Sequence, residues 1–305
     1  MEYEGQIVSG ILREYKERLA GLYPVTEIMS ITYLLFEHFS GWTKTQLHLS
    51  PDAKLPPDTS RLFNEALERL CQGEPVQYIT GKTFFNDLDL KVTREVLIPR
   101  PETEELSRLI RAENIQRQYE ETTVLDIGTG SGCLALDVKK AFPYAEVTAI
   151  DISKEALAVA GDNAILNGLN INLFQADIKN EDGWGDFGFF DWIISNPPYV
   201  RESEKAEMHL NVKGFEPHWA LFVPDDDPLC FYHSIGRFAM NHLRRPGQLY
   251  LEINSAMGEQ VCDLLRHLGF SKVTIFRDFY GRNRYVRADV RTEIRDTSYW
   301  YADKG

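Results

Sequence analysis

The sequence predicts an α/β protein, a doubly wound, mostly parallel sheet that follows a small helical amino-terminal domain. Three observations lead there. Up to about residue 75 the apolar positions recur at helical spacing. From residue 122 short β-branched runs alternate with helical patterns. The first of those runs ends in a glycine-rich turn, at the strand end where open α/β sheets place their ligands.

Residues 1–75 read as the helical domain. Ile7, Ile11, Leu12, Tyr15 and Leu19 fall on one helical face, with Arg13, Lys16 and Glu17 opposite. A second helix follows Pro24, carries Ile28, Ile31, Leu35, Phe39 and Trp42, and finishes near Gly41. After Pro56-Pro57, Asp58 or Ser60 caps a third helix with Leu62, Phe63, Ala66, Leu67 and Leu70 as its stripe, and Gly73 stops it. Residues 76–100 read as a hairpin linker, with Asn86-Asp87 as turn chemistry between Phe84-Phe85 and an alternating run over 88–92. Pro99 and Pro101 stiffen the approach to the next domain, and Pro101 or Glu102 opens a helix that runs to about Tyr119.

Residues 101–290 form the larger domain. Buried strands are expected over 123–127, 146–150, 171–175 and 190–195, with a helix starting near Ser153. Helices over about 229–244 and 256–268 flank a strand at 248–253, and strands at 273–276 and 285–288 close the sheet. Residues 291–305 read as a frayed tail.

Composition narrows the function classes. The 305 residues are 43% hydrophobic and 26% charged, as in an ordinary globular protein. No apolar run approaches the ~20 residues that span a bilayer, and Met1-Glu2-Tyr3-Glu4 lacks the basic and apolar parts of a secretory signal. The expected location is the cytoplasm. A net charge of −13 argues against a protein that lives on phosphate contacts, so no direct nucleic-acid binding is expected. The four cysteines form no C-x-x-C pair, and the seven histidines show no ligand spacing, so no metal is expected. Cys133 follows the glycine turn but reads as a packing residue.

Two motifs carry chemistry. In the first, Asp126 precedes Gly128-Thr129-Gly130-Ser131-Gly132, and Asp151 ends the next strand. Glycines there let the backbone approach a ligand closely, and a carboxylate one βα unit later can accept from both hydroxyls of a ribose. The second motif is Asn196-Pro197-Pro198-Tyr199, after the fourth strand. Proline has no N–H to give, so the ladder halts and nearby carbonyls are left as acceptors. The Asn196 side-chain oxygen and the Pro197 carbonyl can each take one N–H of a planar –NH2 group, with the Tyr199 ring packed on it.

Together these motifs resemble the class I S-adenosylmethionine-dependent methyltransferases that modify amino groups, and among them the release-factor glutamine N5-methyltransferases. The resemblance covers nearly the whole chain, including the Ile-Pro-Arg-Pro-Glu-Thr-Glu segment that ends at Glu104. It implies a class I methyltransferase fold with a seven-stranded sheet, and an amino-terminal domain that recognises the substrate. It also implies methyl transfer to the glutamine amide of the Gly-Gly-Gln motif in peptide chain release factors, by a monomer. Gly128, Thr129, Gly130, Ser131 and Gly132 would wrap the methionine part of S-adenosylmethionine, Asp151 would hold its ribose, and Asp177 would approach its adenine edge. Asn196 would touch both cofactor and substrate, with Pro197, Pro198 and Tyr199 completing the substrate turn and Asn196, Pro197 and Tyr199 the catalytic set. Trp184 is a further aromatic candidate beside the cofactor. Phe215, where the family usually has Tyr, and Asp225-Asp226-Asp227-Pro228, in place of a glycine-richer turn, depart from the pattern. The Asp run reads as a solvated turn, and Arg282 and Arg284 read as surface or strand-edge residues. The Asn-Pro-Pro-Tyr turn is shared with DNA adenine and RNA guanine amino-methyltransferases, which form the alternative reading.

Overall fold

The computed structural model describes residues 5–208 and 210–290; the expected tail at 291–305 lies outside them. The chain divides into two compact units. The first runs to Lys82 and also takes in Val92–Arg94 and Glu207–Glu216. It is built on α1 (Val8–Leu19), α2 (Val25–Ser40), α3 (Lys44–Leu49), α4 (Pro57–Cys71) and α5 (Val76–Thr80). The predicted stripes form one core in which Tyr15, Phe36, Phe39 and Phe63 pack ring against ring. Gly41 closes α2 in the left-handed conformation.

The expectations for this unit fail in four places. Ile7 is 42% exposed, since Val8 takes the buried place at the start of α1. Leu62 is exposed, because the buried face of α4 is Phe63, Ala66, Leu67 and Leu70, one step round the helix. Neither Asp58 nor Ser60 caps α4: the cap position is Pro56, and the buried Ser60 hydroxyl instead accepts from the Gln6 N–H at 3.0 Å. The short α3 and α5 escaped notice because neither is long enough to show a period. After α4 the unit is tied by Glu74, which is 2% exposed and takes Arg69 and Arg94 at 2.7 Å each. The Arg94 guanidinium also lies over the Phe215 ring.

The second unit begins with a hairpin, β1 (Lys82–Phe85) and β2 (Leu88–Lys91), turned at Asn86 with φ +47°. Helix α6 (Pro101–Glu113) opens at Pro101 as predicted, but ends before Tyr119. The Asn114 side chain bonds the Ile110 carbonyl at 2.9 Å and meets the Tyr250 hydroxyl, so the chain turns there. The wound part follows as β3 (Thr123–Ile127), α7 (Cys133–Ala141), β4 (Glu146–Asp151), α8 (Lys154–Leu166), β5 (Asn172–Gln175) and β6 (Phe190–Ser195). A small parallel pair, β7 (Val200–Arg201) with β8 (Phe222–Val223), follows; α9 (Leu210–Phe215), between them in sequence, falls in the first unit. Then come α10 (Cys230–His242), β9 (Leu243–Glu252), α11 (Gly258–Leu268), β10 (Lys272–Arg277) and β11 (Asn283–Asp289).

The seven-stranded sheet has the order β10-β11-β9-β6-β3-β4-β5, and only β11 pairs antiparallel to its neighbours. Alternate residues of each strand feed two cores. Leu125, Ile193 and Leu249 meet α10 and α11 on one face, while Val124, Trp192 and Tyr250 meet α6, α7 and α8 on the other. This is the predicted class I methyltransferase architecture. The chain runs from β3 outward to β5 and then returns to place β6 on the other side of β3. The crevice between the ends of β3 and β6 is therefore a topological switch point.

Candidate functional site

A cleft in the second unit opens at that switch point. Its lining includes Asp126 of β3 and Gly128-Thr129-Gly130-Ser131 after it, Asp151 at the end of β4, and Asp177 after β5. Asn196, Pro197 and Pro198 line it after β6, with Leu97, Pro99 and Arg100 from the proline-stiffened segment. Residues more than a hundred positions apart thus share one cavity because parallel strands deliver their carboxyl ends to the same edge.

The glycine turn is pinned to β4: the Gly128 and Thr129 N–H groups both donate to the Ile150 carbonyl, at 2.9 and 3.0 Å. Gly128 and Gly130 sit at φ +73° and +54°, and a Cβ on either would meet nothing within 4 Å. That open space is the backbone approach a ligand needs. Gly132 differs. It has φ +81°, a Cβ there would stand 3.1 Å from Ala160 Cβ, and it does not line the cleft. Its smallness serves the packing of α7 on α8.

Asp151 accepts from the Gly130 N–H and the Ser153 N–H at 2.9 Å each, and burial raises its pKa. Asp151 lines the cleft, and a carboxylate has capacity for further donors beyond these bonds. Asp126 is 1% exposed. Its Oδ2 accepts from the Thr129 hydroxyl at 2.7 Å, and its Oδ1 has no partner among the described residues. Burial pushes the Asp126 carboxyl up to about 7, with the Thr129 bond opposing and nearby Asp151 adding to the rise.

The Asn196 turn rests on a buried polar chain. The Ser195 hydroxyl donates to the Ile127 carbonyl at 2.7 Å, locking β6 to β3. The Asn196 Nδ2 donates to the Thr103 hydroxyl at 3.0 Å, and Thr103 donates to Glu252 Oε2 at 2.8 Å. The Tyr199 hydroxyl donates to Glu252 Oε1 at 2.9 Å. Glu252 has no exposed surface, and burial pushes its carboxyl up to about 7, against the pull of Thr103, Tyr199 and Arg284. Tyr199 is not among the cleft-lining residues; its backbone carbonyl accepts from Asn254 Nδ2 at 3.1 Å.

Several expectations change at this point. Trp184 lies away from the cleft: it is buried, donates to the Ile178 carbonyl and packs edge-on against Phe238, while Phe231 supplies an aromatic ring in the cleft. Arg284 is not a surface residue; its side chain is 12% exposed and pairs with Asp278 at 3.3 Å. Asp225, Asp226 and Asp227 are exposed in a bend, as the solvated-turn reading has it, and Asp225 also accepts from both the N–H and the hydroxyl of Ser203. Cys133 lines the cleft, but burial pushes its thiol up, opposite to a reactive thiolate. Thr103 and Glu252 were not picked out from sequence. The available signal was a lone acid in the apolar run Leu249-Tyr250-Leu251-Glu252-Ile253.

Residues 106–213 match the methyltransferase small domain family, and residues 11–81 match the PrmC N-terminal domain family. A release factor glutamine methyltransferase of Flavobacterium psychrophilum is 40% identical over 93% of this chain and 100% of its own length. One of Bacteroides thetaiotaomicron is 38% identical over 90% of this chain and 97% of its own. Among solved structures, the hMettl16 catalytic domain, in complex with MAT2A 3'UTR hairpin 6, covers 77% of this chain and 82% of its own at 15% identity and a TM-score of 0.52, a likeness of fold. The chain belongs to the release factor glutamine methyltransferase family.

Proposed function

We propose that the protein transfers a methyl group from S-adenosylmethionine to the side-chain amide nitrogen of a glutamine in a peptide chain release factor, the Gly-Gly-Gln glutamine that the family resemblance implies. The observation that carries this reading is the state of Asn196. Its Nδ2 is committed to Thr103, so its Oδ1 is the atom left to accept in the cleft. With the Pro197 carbonyl this makes two acceptors for the two N–H groups of one primary amide.

The residues present fit the cofactor. Open space over Gly128 and Gly130 admits a chain passing close to the backbone. The unpartnered Asp126 Oδ1 suits the ammonium of a methionine, and a cation there would draw that carboxyl back to its ionised form. Thr129 and Ser131 complete that turn, and Gly132 holds its far end. Asp151 would take the ribose hydroxyls and Asp177 the adenine edge. When bound, S-adenosylmethionine supplies an electrophilic methyl group on a sulfonium.

The chain's own residues then solve one problem: an amide nitrogen is a poor nucleophile because its lone pair is delocalised. Asn196 Oδ1 and the Pro197 carbonyl orient the nitrogen and stabilise the positive charge it gains, while Pro198 keeps the turn rigid. Methyl transfer leaves a cationic N-methyl amide, itself a strong acid that gives its extra N–H proton to water, so no side-chain base is needed at the transfer step. Tyr199, expected to pack on the amide, does not line the cleft and instead supports the turn from beneath through its bond to Glu252. The helical domain is assigned to recognition of the release factor, and the reading includes a monomer acting in the cytoplasm without nucleic acid.

The test is label transfer. With methyl-labelled S-adenosylmethionine, an intact release factor takes up one methyl, and a release factor with Glu in place of the Gly-Gly-Gln glutamine takes up none. Equal labelling of the two would reject the assignment.

A further inference from the structure

Glu252 has no part in the chemistry above, yet two hydroxyls converge on it beneath the substrate turn. The bonds in this chain are not independent of one another. An ionised carboxylate only accepts, so the single Thr103 proton goes to Glu252 Oε2 and the Tyr199 proton to Oε1. The Thr103 oxygen then has only lone pairs for its other neighbour. Asn196 must meet it with Nδ2–H, and its Oδ1 becomes the cleft atom. Were the amide turned over, Asn196 Oδ1 would face those lone pairs at 3.0 Å, acceptor against acceptor, and –NH2 would face the cleft.

We propose that Thr103 and Glu252 are positioning residues that fix the polarity of the Asn196 amide, so that the site accepts hydrogen bonds from a substrate –NH2. This rests on the functional reading above and adds the device that makes the site selective for an amino group. Protonating Glu252 removes the device. A neutral carboxyl can donate to Thr103, the Thr103 proton can then point at Asn196, and the amide turns over without losing a bond.

The groups facing Glu252 set where that happens. They are Thr103 and Glu102 on α6, Tyr199 after β6, and Arg284 and Tyr285 on β11, with Tyr232 of α10 and Cys133 of α7 nearby. Burial dominates and puts the titration at about 7, Arg284 favouring the ionised form and Glu102 opposing it. The sign is fixed: the ionised form is the ordered one, so turnover falls as pH falls through about 7.

The experiment uses the full-length enzyme with an intact release factor. Thr103→Val keeps the shape and removes the hydroxyl. Losing a bond in a chain anchored by a charged group should cut kcat ~10–100-fold. S-adenosylmethionine affinity should fall much less than kcat, because Thr103 is assigned to no cofactor atom and acts through Asn196. Thr103→Ser should recover most of the loss. Glu252→Gln should slow turnover and flatten the pH profile across 6–8, where the wild type falls with pH. A second readout needs no turnover: the Asn196 side-chain ¹⁵N signal, assigned by its absence in Asn196→Ala, should shift with a midpoint near 7. Glu252→Gln should abolish that shift.

Wild-type turnover in Thr103→Val, or a titrating ¹⁵N signal in Glu252→Gln, would overturn the inference while leaving the function intact. A wild-type enzyme that labels no glutamine yet keeps the titrating signal would reject the function and retain the relay.

Discussion

Asn196 and Asp151 stand at the ends of two neighbouring sections of one cleft, and their separate bonds predict separate defects. Asn196→Ala should lower kcat by ~10²–10³, the range seen when one donor or acceptor aimed at developing charge is removed. Cofactor affinity should change much less. Asp151→Ala should do the reverse, weakening S-adenosylmethionine ~10–100-fold through lost charge-assisted bonds. Steady-state kinetics with direct binding of S-adenosylhomocysteine checks both; proportional loss of kcat and affinity in Asn196→Ala would contradict the division of roles. At this scale the sequence was legible where chemistry is local. Gly128, Gly130, Asp151 and Asn196, each at or just after a strand end, all line the cleft as the local pattern led one to expect. Thr103 and Glu252 were illegible because their meaning lies in contacts across 93 and 149 positions. The buried pairing of Arg284 with Asp278 was missed for the opposite reason: arginine on a closing strand is most often solvated.

Among the elements, those with a long period or a firm stop were found, and those set by tertiary contact were not. Proline at the start of α6 and glycine at the end of α2 act within one turn and can be read directly. The end of α6 is set by Asn114 meeting Ile110 and Tyr250, the latter far along the chain, so periodicity overran it. The start of α7 offers a stability test. Gly132 combines φ +81° with a 3.1 Å approach to Ala160, so Gly132→Ala should cost ~1–3 kcal/mol. Gly128→Ala has the strain without the clash and should cost less stability, while weakening the cofactor by filling its approach. Chemical denaturation of both variants checks the order; equal losses would mean that α7 yields to a methyl group.

On the scale of the whole molecule, strand and helix alternation foretold a doubly wound, mostly parallel sheet and the family resemblance its seven strands, while the antiparallel β11 next to the edge was not foretold. Alternation could not foretell that Val92–Arg94 and Glu207–Glu216 join the helical unit, because nothing local marks a segment as borrowed by a distant core. The Asn-Pro-Pro-Tyr turn and the fold serve several amino-group acceptors, so whole-molecule identity rests on the substrate. The most direct measurement mixes the protein with S-adenosylmethionine, a release factor, and duplex DNA and RNA as competitors, then reads peptides and nucleosides by mass spectrometry. One added methyl is expected on the Gly-Gly-Gln glutamine, lost in Asn196→Ala, with every base unmodified. A methylated base beside an unmodified glutamine would contradict it.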